Sequence, residues 1–129
     1  MPKVLRDIWI LAESGLTIFN RVIDSRVNPQ IFGALMSAIN TFAETLSEGG
    51  ISNFELSNIR FTIVKQNHFL FVANSSNEVK AKKVLSELKT ISKKFFNVYP
   101  EEVINSWNIN IKVFADFRQH IVDSLEETN

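Results

Sequence analysis

The chain has 129 residues, 45% of them hydrophobic and 22% charged, with only four Gly and three Pro. That is one domain's worth of polymer with enough apolar material for a core, and it excludes disordered, collagen-like and linker-like chains. Fourteen Lys plus Arg balance fourteen Asp plus Glu, which leaves no basic excess to drive nucleic-acid binding, and zero Cys excludes disulfides, thiolate metal sites and cysteine nucleophiles.

In chain order, Leu5 to Leu11 reads as a strand, consecutively apolar from Ile8 to Leu11. Glu13-Ser14-Gly15 is a turn, and Leu16 to Val22 a second strand, with Leu16, Ile18 and Val22 pointing one way and Phe19 the other. So short a link makes an antiparallel hairpin. Asn28-Pro29 starts a helix, Asn as cap and Pro at the first helical position. Its apolar face is read as Phe32, Leu35, Met36, Ile39, Phe42, Ala43 and Leu46, with Ser37, Asn40, Thr41 and Glu44 on the other face, and Gly49-Gly50 ends it. Three strands follow: 51–58, with Phe54 and Leu56 at period two; 60–65, with Phe61 and Ile63 opposite Thr62 and Val64; and 69–73, after a turn at Gln66-Asn67-His68.

Ser75 to Glu78 fits a capping box, with Ser75 as the cap of a helix that runs to about Val98 and buries Ala81, Val84, Leu85, Leu88, Ile91 and Phe95. Pro100 ends it. A final helical region spans about Glu101 to Leu125, through Ile104, Trp107, Ile111, Phe114, Phe117 and Ile121. Several strands are apolar at adjacent positions, so both sheet faces need cover. The expected fold is a three-layer α/β/α sandwich around a five-stranded antiparallel sheet, with the first helix on one face and the last two on the other.

No stretch reaches the roughly 18 to 20 apolar residues of a spanning helix, and the first residues lack a signal-peptide core. The expectation is a single cytoplasmic domain over residues 1–129.

This order of elements resembles the longin domain of the profilin-like group. The run Ile8-Trp9-Ile10-Leu11-Ala12-Glu13-Ser14-Gly15-Leu16-Thr17-Ile18-Phe19-Asn20-Arg21 is similar to the opening hairpin of the first longin domain in the Mon–Ccz and Hermansky–Pudlak exchange-factor subunits. Phe32 to Ile39 resembles the small-residue-rich first helix of those domains, and Asn53 to Asn74 the middle strands of adaptor-complex small subunits. The resemblance covers about residues 5–125. It implies a non-enzymatic platform, cytoplasmic or peripheral to a membrane, that pairs with another longin or roadblock-like subunit as a homo- or hetero-dimer and binds a small Ras-like GTPase. Stand-alone longin proteins of this kind also occur in archaea. No heptad segment or lipidated Cys follows, which departs from longin-type SNAREs.

Chemistry finds little support in the residues. His68 and His120 have no acid or nucleophile placed beside them by the sequence; His120 and Asp123, three apart, read as a solvated pair. Glu101-Glu102 suit the start of a helix. The glycines form neither a dinucleotide fingerprint nor a P-loop. No catalytic residue, cofactor or metal is expected. Trp9, Trp107 and the eleven Phe read as core.

Two surfaces stand out instead. The longin resemblance implies that the 16–22 and 51–58 strands are the two sheet edges; Ile51, Asn53, Glu55 and Ser57 line one face of the latter, and Glu55 reads either as part of a pairing edge or as a charge that blocks it. By the resemblance, this edge joins Ser37, Asn40, Thr41 and Glu44 of the first helix in holding a partner. Lys82, Lys89 and Lys93 share one helical face in a segment of net charge +4, six Lys against two Glu between Ser75 and Tyr99. That face suits an anionic membrane surface, an acidic partner or plain solvation. A rival reading, a PAS- or GAF-like small-molecule sensor, needs an internal cavity; the apolar strands predict a filled core.

Overall fold

The computed structural model describes residues 5–12, 14–22, 28–46, 53–56, 58–99 and 111–121. Five strands, β1 (Asp7–Leu11), β2 (Thr17–Arg21), β3 (Asn53–Leu56), β4 (Ile59–Gln66) and β5 (Phe69–Ser76), form one antiparallel sheet in the order β2-β1-β5-β4-β3. Helix α1 (Pro29–Leu46) follows β2, α2 (Ala81–Val98) follows β5, and a 3-10 helix spans Ile111–His120. The two edges are β2 and β3, as the longin resemblance implies.

Alternation along the strands explains the layers. Trp9, Leu11, Phe61, Ile63, Leu70 and Val72 face α1, whose Met36, Phe32 and Ile39 complete that cluster. Ile8, Ile10, Phe69, Phe71 and Ala73 face α2 and the 3-10 helix, whose Val84, Leu88, Ile91, Phe95, Phe114 and Phe117 complete the other. Both sheet faces are therefore covered. The second cluster is aromatic at its centre. Phe95 lies 5.1 to 5.6 Å, centroid to centroid, from Tyr99, Phe117, Phe96, Phe114 and Phe71.

The two tight hairpins rest on specific backbone conformations. Gly15 takes φ +93 in the β1–β2 turn, where its N–H donates to the Ala12 carbonyl. Asn67 and His68, both at positive φ, make a two-residue turn between β4 and β5.

Four readings of the sequence are corrected. Ile18 and Phe19 do not point apart. The β1–β2 register slips between Ile10/Phe19 and Leu11/Thr17, leaving Ile18 as an extra residue, and both side chains enter the α2-side core. Ser75 does not cap α2. It pairs with Arg60 inside β5, which runs through Ser76 because β4 is long enough to hold it; the helix starts at Ala81 with Lys80 at the cap and no side-chain cap bond. The described part of the last helical region is a 3-10 helix, consistent with the threefold spacing of buried Phe114 and Phe117. The rest of that region and Gly49-Gly50 lie outside the described residues. The fourth correction concerns α1.

Candidate functional site

Helix α1 is held from its first turn. The Asn28 side chain accepts from Gln30 and Ile31 N–H at 3.0 and 3.1 Å, the cap the sequence predicts. Gly33 then rests on the β1–β2 hairpin. A Cβ there would meet the Thr17 hydroxyl and come within 2.7 Å of the Gly15 carbonyl. This close approach fixes which side of α1 faces the sheet.

That side only partly matches the one read from periodicity: Phe32, Met36, Ile39 and Ala43 turn inward as expected, and three others do not. Met36 and Asn40 are buried, and Phe32, Ser37, Ile39 and Ala43 are half-buried. Leu35, Phe42 and Leu46, expected inward, are 54%, 67% and 74% exposed, and Ile31 is 70% exposed. The helix has apolar residues on two sides, so a stripe of 3- and 4-residue spacings does not reveal which side meets the sheet; the Gly33 contact decides it. Spaced four, seven and four residues apart, the exposed four form an outward row. Such side chains on a folded surface mark interaction sites when they cluster. Neither the notion of a polar outer face nor composition finds this row; Gly33 is the signal in the sequence that could have.

The predicted partner residues of α1 are scattered by this rotation. Thr41 and Glu44 are exposed, Ser37 is half-buried, and Asn40, only 6% exposed, donates its amide to Glu44 at 3.1 Å. Glu44 also accepts from Lys65 of β4 at 2.9 Å, tying the end of α1 to the sheet.

At the β3 edge, Asn53 and Glu55 are exposed; Ile51 and Ser57 lie outside the described residues. Glu55 sits opposite Arg60, which donates to it at 3.1 Å and also to the carbonyls of Val79 and Asn77. This clamp joins β3, β4 and the turn before α2. The other edge differs. Thr17 N–H donates to Gln30 Oε1 and Gln30 Nε2 donates to Thr17 O, both at 2.9 Å. A side-chain amide thus takes the place of a neighbouring strand residue on β2.

On the opposite layer Lys82, Lys89 and Lys93 are all exposed along α2. A hollow of about 280 Å³ opens on the α1 side, lined by Arg6, Asp7, Trp9, Phe32, Ile59, Phe61 and Asn74. Trp9 and Phe32 stack at 4.0 Å there, and the buried Trp9 Nε1 has no hydrogen-bond partner among the described residues. Asp7 and Asn74 bond each other through Asn74 Nδ2 at 3.0 Å. Among the described residues no three His, Asp or Glu gather as a metal site, and no helix is long and apolar enough to cross a membrane. Burial pushes the Tyr99 hydroxyl above the usual 10.0, and the nearby Asp116 carboxylate adds to the push.

No protein-family model matches the chain, and no curated protein matches it. Its fold is similar to that of Myxococcus xanthus MglB, at 13% identity and TM-score 0.61 over 74% of this chain and 77% of that one. It is similar to a Roadblock/LC7 domain from Streptomyces avermitilis, at 16% identity and TM-score 0.61 over 74% and 85%. The mammalian SRP receptor contains a further likeness, at 16% identity and TM-score 0.57 over 96% and 94%. These likenesses establish a roadblock/longin type of fold, as expected from the order of elements. They do not reach the narrower placement beside Mon–Ccz subunits or archaeal longin proteins.

Proposed function

We propose that the chain is a non-enzymatic docking platform that pairs with a second copy or a related longin or roadblock-like subunit, and that the pair binds a small Ras-like GTPase. One observation carries the pairing: α1 turns Ile31, Leu35, Phe42 and Leu46 outward. Water contact with so many large apolar groups on one helix face is unfavourable, and a matching face relieves it at about 25 cal/mol per Å² covered. Thr41 and Glu44 are exposed elsewhere around α1, Glu44 on the side tied to Lys65, and Asn53 and Glu55 lie on the edge strand, where backbone pairing adds direction. The GTPase follows from the longin resemblance, and the shared fold with MglB and the Roadblock/LC7 domain supports the same general kind.

Light scattering on the eluting protein tests the pairing. The expected mass is twice that of the chain, falling to the chain mass for Leu35→Lys/Phe42→Lys with unchanged circular dichroism. A wild-type protein that stays monomeric, alone and with Ras-like GTPases of its source loaded with GDP or a GTP analogue, overturns the reading.

The sensor reading has the aromatic hollow and the unpartnered Trp9 Nε1 in its favour. At about 280 Å³ the space lies at the small end for ligand sites. A thermal-shift screen with small planar compounds separates the two, because a sensor's ligand raises the melting temperature and a platform gives no hit.

A further inference from the structure

The outer face of α2 carries Lys82, Lys89 and Lys93, all exposed. At 100° per residue they fall within about 40° of one another around the helix, along about 16 Å of its length. With Leu85, Ser86 and Thr90 between them they line a shallow hollow, and exposed Lys83 flanks it. Among the described residues none of these four Lys enters an ion pair.

Among the described residues, no acidic group in the first turn of α2 accounts for this placement. Lys82 and Lys83 stand in the first turn of α2, at the positive end of the helix, with no acidic residue in that turn and no side-chain cap. Each is set where a carboxylate would be the stabilising choice. An external anion is the partner that favours them.

We propose that this face of α2 docks on anionic lipid headgroups at a membrane surface. The composition of the face favours lipid over other anions. Protein interfaces are enriched in aromatic residues and Arg and depleted in Lys, whereas this face offers Lys without either. Compact ammonium groups on flexible stems suit a diffuse layer of headgroups better than the fixed geometry of a carboxylate pair. Nucleic acid needs a broader basic surface than one helix of a chain whose charges balance. The position of the face fits as well. It lies on the layer opposite α1, so docking leaves the Ile31–Leu46 row and the β3 edge open to proteins. The proposal does not depend on what those surfaces bind.

Vesicle co-sedimentation of the full chain is the test. Binding is expected to phosphatidylcholine vesicles carrying about 30% phosphatidylserine and not to phosphatidylcholine alone, and to fade as salt rises from about 0.1 to 0.5 M. Lys82→Gln/Lys89→Gln/Lys93→Gln should weaken it about 100-fold, roughly fivefold per charge, while the triple Lys→Arg variant keeps it. Circular dichroism of both variants checks folding. Binding without phosphatidylserine dependence, or untouched by the Gln variant, overturns the proposal. So does binding to poly-glutamate or a DNA oligomer with none to the vesicles.

Discussion

Helices α1 and α2 each have 18 residues and lie on opposite faces of one sheet, yet they treat water in opposite ways. The α1 segment has a single charged residue, Glu44, and shows large apolar side chains to solvent. The α2 segment has five Lys and one Glu, and its apolar residues go inward, with Val84, Leu88, Ile91 and Phe95 wholly buried. The inner contacts differ too. Where α2 inserts large aromatic rings, α1 comes close with a glycine. A helix seated through a small residue, with large apolar groups left in water, offers a surface that burial would favour covering. One that is apolar inside and cationic outside meets its surroundings through charge instead.

This contrast predicts unequal responses to substitution. The largest belongs to α2. Phe95→Ala empties the middle of a ring cluster and should cost about 3–5 kcal/mol by denaturant unfolding; a loss below that of an ordinary surface change would mean that the α2 wall is not anchored there. Next comes Gly33→Val, which forces side-chain carbon against Thr17 and the Gly15 carbonyl. It should cost about 1–3 kcal/mol through overpacking and weaken assembly along with stability, since it lifts the apolar row out of place. Full stability and unchanged assembly would show that α1 is not seated through this contact.

The smallest effect is a pH dependence at the joint of α2 and the 3-10 helix. The hydroxyl of Tyr99 has a raised pKa in the fold. As pH climbs through 10.0 the unfolded chain ionises first, so stability present below that value is lost as pH rises toward the raised native one. Tyr99→Phe should remove this alkaline loss. Tyr99 is the only tyrosine, so tyrosinate absorbance reports it directly; a native midpoint at or below 10.0 would place the ring in water.

Much of the fold was readable from residue order. Two-sided apolar strands, the Asn28-Pro29 start and the short turns lead to the five-stranded sheet and its layers, because each depends on local chemistry, while the two edges came from the resemblance to longin domains. The errors fall where tertiary contact overrides local pattern. Ser75 has the makings of a cap, but pairing with β4 claims it for the sheet. Ile18 follows a period-two alternation that the bulge interrupts. In α1 the periodicity placed Phe32, Met36, Ile39 and Ala43 inward correctly but took in Leu35, Phe42 and Leu46 too, since the contact that sets the rotation involves Gly33, which has no hydrophobicity to display. Of the partner residues first named, Thr41, Glu44, Asn53 and Glu55 reach the surface, while Asn40 turns away from it. The lysine row was legible outright, because exposed charge on a helix needs only its spacing.

The amide of Gln30 bears on how large an assembly can grow. A sheet with two receptive margins invites head-to-tail addition without end, the geometry of a fibre. Here the Thr17 margin is already occupied from within the chain, at the same turn of α1 that Asn28 caps. An incoming strand would have to displace Gln30 at Thr17, so addition along this margin is handicapped at that point. One glutamine, spent on the backbone of a neighbouring strand, guards part of a rim where chains could otherwise add.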